Sequence, residues 1–356
     1  MKDGKLQIAL VGCGMIGHGH AEAVINDPRA ELCALAYGRN AEKGRKFAEK
    51  FNIPFATNDY NEIIEKCHAD AVIICTPSAF HADCAKAFAN AGIHVLCEKP
   101  LDVTAEKISG MIDAAEKNGV LLGCVFPNRA QEGLRRAKEI IDSGELGSMR
   151  LVEFQYRGYR SHSYYSSSYW KGRKSIDGGG CLINQGIHGI DALLYLAGDV
   201  KSVCAVTDTM GRKIEVEDSA CALLEFESGA HGTLMGTVLS YFPEKNSECE
   251  RVRIEFEGGT IVYADGKTIL YKSLSDDELK TEEIHLSHVE QSFGANPEDI
   301  DMTAHFALVS NFFDGILNGT EIFAPARDAR RSVDLVLTIY KSAETRSWVN
   351  VPHYPR

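Results

Sequence analysis

Apolar and polar positions follow two different rhythms along this chain, and the change between them divides it. Through the first third, short and mostly apolar runs recur at Leu6–Val11, Glu31–Tyr37, Ala69–Cys75, Ile93–Cys97 and Val120–Phe126. Runs of this length between turn residues predict strands buried on both faces. Helical spacing of apolar positions fills the gaps, over His18–Asn26, Ala41–Phe51, Ala82–Ala91 and Thr104–Asn118. Strand and helix in alternation predict a doubly wound parallel sheet in an α/β chain.

From about residue 126 the rhythm shortens. In Arg150–Arg157, Val152, Phe154 and Tyr156 alternate with Glu153, Gln155 and Arg157. Arg251–Tyr263 does the same around Gly258-Gly259, and Ala220–Phe226 and Gly232–Ser240 are two more candidate strands. A period of two predicts half-exposed strands, and Gly-Gly between two such runs predicts a hairpin. Helices are expected over Gln131–Ser143, Met302–Leu317 (with Gly319 just past its end) and Asp328–Glu344. Ser275–Glu283 is acidic and reads as a solvated loop or edge. The expected organisation is a parallel-sheet domain over 1–125 and an α+β domain over 126–356, the last helix able to pack back on the first domain. The second domain carries a large, mostly antiparallel sheet with one open face, a surface suited to a homo-oligomer (dimer or tetramer).

Length and composition narrow the partners. A chain of 356 residues suits two domains. The net charge of −12 argues against nucleic acid as the main partner. The 11 cysteines are odd in number and scattered through apolar runs, which suggests reduced thiols and no disulfide framework. No CxxC pair suggests a metal site. The first apolar run is short for a signal peptide and no run is long enough to span a bilayer, so a cytoplasmic protein with no membrane partner is expected.

Candidate chemistry begins at Gly12-Cys13-Gly14-Met15-Ile16-Gly17, between the first strand and the first helix. This G-x-G-x-x-G has the context that a dinucleotide-binding turn needs: room for the turn, close backbone approach to a pyrophosphate, and a helix N-terminus against the phosphate charge. At the end of the second strand an NAD site usually carries Asp or Glu, and this chain has Tyr37-Gly38-Arg39-Asn40. Arg39 suits a 2′-phosphate, so NADP is preferred over NAD. Thr76-Pro77 ends the third apolar run and His81 opens the next helix; both are placed with the cofactor. Glu98-Lys99-Pro100 ends the fourth, where ligands collect in parallel sheets, and Arg129 follows the last. Both join the cofactor set.

The second constellation lies between Arg157 and Asp191. Arg157, Tyr159, Tyr165, Trp170 and Lys171 mix aromatic and basic groups; in an acidic chain this suits a sugar with a phosphate or carboxylate better than nucleic acid. After Gly178-Gly179-Gly180, a helix from Cys181 puts Asn184, His188 and Asp191 on roughly one face. A neutral histidine suits removal of a hydroxyl proton as hydride leaves the same carbon. A structural histidine is the competing reading.

These residues resemble the Gfo/Idh/MocA oxidoreductases (glucose–fructose oxidoreductase, inositol dehydrogenase and relatives). The resemblance runs through Gly12–Gly17 with His20, Thr76-Pro77, His81, Ala91–Leu101, Trp170-Lys171-Gly172, Gly178–Asp191 and Asp328–Ser332. It implies a Rossmann domain, Lys99 beside the nicotinamide and the substrate hydroxyl, Glu98 helping to hold the cofactor, and His188 as acid/base. Many members carry Asp where this chain has Asn184. The resemblance therefore implies Lys99, His188 and Asn184 as the catalytic set. Arg157, Tyr159, Tyr165, Trp170, Lys171, Asn184 and His188 are expected to bind substrate, and the expected substrate is a sugar, inositol or sugar derivative. The alternatives are an NAD-dependent glycosidase on the same scaffold and a non-enzymatic sugar or cofactor sensor.

Overall fold

A computed structural model describes residues 1–241, 249–264, 266–275, 280–286 and 302–354. The chain opens with β1 (Leu6–Val11), α1 (Met15–Asn26), β2 (Ala30–Ala36), α2 (Ala41–Lys50), β3 (Phe55–Thr57) and α3 (Tyr60–Lys66). It continues through β4 (Ala71–Ile74), α4 (His81–Asn90), β5 (His94–Cys97), α5 (Ala105–Lys117) and β6 (Leu122–Cys124). Then come α6 (Glu132–Asp142), β7 (Met149–Arg157), α7 (His162–Ser166), α8 (Lys174–Asp177), a π-helical turn over Cys181–Gly186 and α9 (Ile187–Ala197). The strands β8 (Val200–Asp208), β9 (Ser219–Phe226), β10 (His231–Thr237), β11 (Glu250–Phe256), β12 (Gly259–Ala264), β13 (Lys267–Ser275) and β14 (Lys280–His285) follow. The last elements are α10 (Thr303–Asn318), α11 (Ala326–Thr345) and β15 (Val349–Asn350).

Two compact units result: Met1–Pro127 with Met302–Arg330, and Asn128–Asp301 with Arg331–Arg356. Residues 302–330, assigned from sequence to the second domain, return to the first unit. Three ties explain it. Arg29 after α1 bonds Asp314 and Ser310 of α10, Met302 packs against Gly19, and the Cys124 N–H donates to Ala324 O.

In the first unit, six parallel strands run in the order β3-β2-β1-β4-β5-β6. All residues of β1 and β4 are buried, as the unbroken apolar runs require. This is the expected doubly wound sheet, with its strand order reversing between β1 and β4. The short β3 and α3 carry too little pattern to be read from sequence. In the second unit, nine strands run β14-β13-β12-β11-β7-β10-β9-β8-β15. All pairs are antiparallel except β7 with β10. Val152, Phe154, Tyr156, Leu224, Leu234, Ile254 and Tyr263 are buried on one face, against which α9 packs. The other face is open. Residues 276–279 of the acidic stretch lie outside the described residues; its remainder is the end of β13 and the edge strand β14.

A buried carboxylate contact in each unit fixes an element that carries candidate site residues. Arg129, 2% exposed, donates from Nε and Nη2 to the two carboxylate oxygens of Asp191, both at 2.7 Å, and ties the start of the second unit to α9. In the first unit Glu98, just past β5, lies 2.7 Å from Nε2 of fully buried His20 on α1. Its second oxygen accepts the Lys99 N–H at 3.1 Å. Burial alone would raise the Glu98 carboxyl. The His20 hydrogen bond and the charges of His20, His305 and Lys99 outweigh burial and bring it from an ordinary 4.5 to about 2.

A depressed carboxyl stabilises the fold above its unfolded value and loses that contribution as pH falls towards its folded value. Glu98→Gln should cost roughly 2–3 kcal/mol near neutrality. In melting curves taken against pH, the gap between wild type and Glu98→Gln should close as pH falls from about 4.5 towards 2. A gap that stays constant over that window would contradict the pairing.

Candidate active site

The carboxyl edge of the parallel sheet gathers most of the expected cofactor residues. Gly12 ends β1 with φ of 113°, and a Cβ there would lie 2.5 Å from Cys75 O, so only glycine fits this turn. The α1 helix has no side-chain cap, so the amides of Met15, Ile16 and Gly17 face outward at a positive helix end. A Cβ on Gly14 would meet nothing within 4 Å, which leaves room above those amides. Thr76 follows β4, and its buried Oγ1 has no hydrogen-bond partner. An uncapped helix end, clear space and an orphaned hydroxyl suit a dinucleotide.

Arg39 is exposed after β2, while Asn40 caps α2 by accepting the Lys43 N–H at 2.9 Å. Lys43 extends the basic character of this corner. Burial raises the Cys13 thiol, with the Lys43 charge opposing; His18 is lowered by burial first and then by Lys50 and Lys43. His18, Asn40, Glu42, Lys43, Lys46, Phe47 and Lys50 line a groove of about 450 Å³, in which Lys46 pairs with Glu42 at 2.7 Å.

His81 departs from its expected role. It is fully buried, with Nδ1 2.7 Å from Pro100 O and Nε2 2.7 Å from Thr76 O. It braces the loop after β4 against the loop after β5 and presents nothing to a ligand. Burial holds its imidazole below the usual range, against the two carbonyls. Glu98 is a brace too, since both its oxygens have protein partners. Pro77 is extended and starts a 3₁₀ turn over Ser78–Phe80. Lys99 is half-buried between Glu98 and Pro100, in a cis peptide with the latter.

In the second unit the glycine run is held from behind. Gly180 N–H and Leu182 N–H donate to the two oxygens of buried Glu217, at 2.7 and 3.0 Å, and the Tyr340 hydroxyl donates to the same carboxylate at 2.9 Å. A Cβ on Gly180 would lie 1.8 Å from Glu217 O, which explains the glycine. Burial raises the Glu217 carboxyl, with these donors opposing. The continuous helix expected from Cys181 is instead a π-helical turn followed by α9 from Ile187. Half-buried His188 stands in the first turn of α9. Asn184 turns to Asp177, donating from Nδ2 to Oδ1 at 2.6 Å. Asp191 turns to Arg129, so neither Asp191 nor Arg129 takes the place expected of it.

The basic and aromatic stretch sorts itself. Lys171 Nζ lies 3.9 Å from the Tyr164 ring centre, Arg160 Cζ 5.4 Å from it, and Gln185 Nε2 donates to the Tyr164 hydroxyl at 3.3 Å. Lys171 Nζ is also 5.9 Å from the Trp170 ring. Burial and then the Arg160 charge lower the Lys171 amine, with Asp177 opposing. Tyr165 is buried, packed edge-on against Tyr164 at 5.1 Å. Tyr159 is exposed beside Tyr241 and under Arg212. Strand alternation sends exposed Arg157 to the face opposite Phe154 and Tyr156, away from α9. Sequence reasoning missed Arg160, Tyr164, Asp177 and Gln185. Their pairings cross short helices and a π-turn, and periodicity does not report such contacts.

Comparison with known proteins agrees with this fold. An oxidoreductase-family model with an NAD-binding Rossmann fold matches residues 6–126, and a GFO/IDH/MocA C-terminal domain model matches 134–262. The chain is 26% identical to a levoglucosan dehydrogenase of Pseudarthrobacter phenanthrenivorans over 98% of each chain. It is 30% identical to a myo-inositol 2-dehydrogenase of Thermotoga maritima over 64% of this chain and 67% of that one. Among solved structures, the WlbA dehydrogenase of Bordetella pertussis in complex with NADH and UDP-GlcNAcA superposes with a TM-score of 0.82 at 28% identity, covering 98% of this chain and 100% of that one. A levoglucosan dehydrogenase in complex with NADH and levoglucosan gives 0.85 at 25% identity, with the same coverage. With a glycine turn and Lys99 at the same sheet edge and matches spanning both units, the chain belongs to the Gfo/Idh/MocA family of NAD-binding oxidoreductases.

Proposed function

We propose that this enzyme moves a hydride between a nicotinamide cofactor and a secondary alcohol or ketone of a sugar, inositol or sugar derivative. The observation that carries the reading is that Lys99 follows β5 at the same carboxyl edge of the sheet as the uncapped α1 terminus, the two elements joined by the His20–Glu98 contact. The relatives named for levoglucosan and myo-inositol support the substrate class.

Gly12, Gly14, Met15, Ile16 and Gly17 hold the pyrophosphate through backbone amides, with Thr76 and Pro77 beside it. When bound, the cofactor supplies the hydride acceptor or donor. Lys99 polarises the oxygen at the reacting carbon and His188 exchanges its proton, while Asn184 orients the substrate through another of its hydroxyls. Trp170 and Lys171 contact the sugar, joined by Arg160 and Tyr164. Arg157, Tyr159, Arg129 and His81 stand outside this set, because the first two face elsewhere and the other two are spent on protein partners.

NADP is the preferred cofactor in this reading. Support comes from Arg39 in place of a carboxylate and from Lys43, Lys46 and Lys50 around the adjoining groove. The 11 cysteines are free thiols, in keeping with the reducing cytoplasm. Among the described residues no helix is long and apolar enough to cross a membrane. The enzyme self-associates through its open sheet face, where Leu151, Val206 and Leu223 are each more than half exposed.

Nicotinamide absorbance should change with at least one member of a panel of inositols, aldoses, sugar acids and nucleotide sugars. Lys99→Ala and His188→Ala should each lower turnover by about 10²–10⁴-fold; unchanged turnover in both would refute the assigned roles. Free sugar released without net cofactor reduction would point to a glycosidase instead. Arg39→Asp should weaken NADP binding about tenfold or more and spare NAD, and full retention of NADP affinity would remove the basis for that preference. Light scattering should give a mass above that of one chain, and Val206→Glu with Leu223→Glu should reduce it to the monomer; an unchanged mass would move the interface elsewhere.

A further inference from the structure

Asp177 ends α8 and is 2% exposed. A carboxylate that deep needs partners, and two are in hand: Oδ2 accepts the Gly172 N–H at 2.8 Å, and Oδ1 accepts Asn184 Nδ2 at 2.6 Å. A carboxylate only accepts hydrogen bonds, so the end of the Asn184 amide facing it must be the NH₂. Asn184 therefore has one orientation, with its carbonyl oxygen directed away from Asp177. The Gly172 bond holds Asp177 itself to the turn that follows Lys171.

We propose that Asp177 is a positioning residue that locks the Asn184 amide so that a substrate hydroxyl meets a carbonyl acceptor there and not an NH₂ donor. The inference rests on the reading that Asn184 touches substrate. It makes the site selective for a hydroxyl-bearing carbon at that position over an ether or keto oxygen, which has no proton to give. The pair can also be exchanged: Asn at 177 donating to Asp at 184 still presents an acceptor oxygen to substrate. A single change to Asp at 184 cannot do this, because two carboxylates would then face each other at hydrogen-bond distance in a buried place.

The charged and titratable groups around Asp177 are Lys171, whose cation it favours, and Tyr164 and Tyr165, whose ionisation it opposes; Arg160 acts on the same three side chains.

The test is a reciprocal exchange read by melting temperature against pH, which needs no substrate, and by turnover of the panel sugar. Asn184→Asp should melt ~5–10 °C below wild type at about pH 8, and the deficit should shrink towards about pH 5 as the carboxylates come to share a proton. Adding Asp177→Asn to Asn184→Asp should restore most of the melting temperature at about pH 8 and flatten its pH dependence. An Asn184→Asp chain that folds only when Asp177 is also changed supports the pair equally. In turnover, Asp177→Asn should lower kcat about five- to tenfold with little change in KM, and the double exchange should recover it. A wild-type melting profile for Asn184→Asp, or a double exchange no better than Asn184→Asp, overturns the proposal. Melting results as expected without turnover of any sugar would keep the pair and discard the sugar reading; the reverse would discard the pair alone.

Discussion

The first unit depends on a carboxylate kept charged out of reach of water. Glu98 follows a four-residue strand with no side chain exposed at its end, and desolvation alone would drive it to its neutral form. His20, reaching from the first helix, prevents that. The contact joins the uncapped first helix to the end of β5 that precedes Lys99, so two parts of the sheet's carboxyl edge are set against each other by one hydrogen-bonded pair. His81 repeats the device one strand over, bridging the loops after β4 and β5 through two carbonyls. Residues that look like ligands in sequence serve here as struts for the loop that carries Lys99.

The second unit solves the same problem with different parts. The glycines before α9 bring the backbone against Glu217, which satisfies the first amides of the π-turn. The Arg129–Asp191 pair pins the helix further along. His188 lies between these anchors in the chain, so the imidazole is carried on a segment fixed at both ends. A residue asked to hold or pass a proton at one atom gains most from such fixing, because small displacements of a reacting group cost large factors in rate.

Legibility in the sequence followed the range of the interactions. The glycine turn could be read because its conformational demands are local, and the parallel strands because burial on both faces leaves unbroken apolar runs. The antiparallel sheet showed in the alternation of Val152, Phe154 and Tyr156. Contacts that span elements left no such trace. Asp177 and Asn184 are seven positions apart across a helix end and a π-turn, so no continuous helix brings them together. Arg129 looked like a cofactor residue because it follows β6, and nothing near it in sequence announces Asp191. Residues 302–330 return to the first unit through Arg29 and Met302, single side chains just outside the ends of α1 and α10.

The lone parallel pair of the large sheet has a consequence for how the molecule is made. Parallel neighbours cannot be joined by a tight turn, so the chain must leave at the end of β7 and come back to its starting side before β10 can pair. Residues 158–230 make that excursion, and Arg160, Tyr164, Lys171, Asp177, Asn184 and His188 all lie on it. Closing so long a loop is entropically expensive and is rewarded only when distant strands meet. The candidate groups on this excursion are therefore brought to their final places only when β10 pairs with β7, as His231 does with Leu151 far back in the chain.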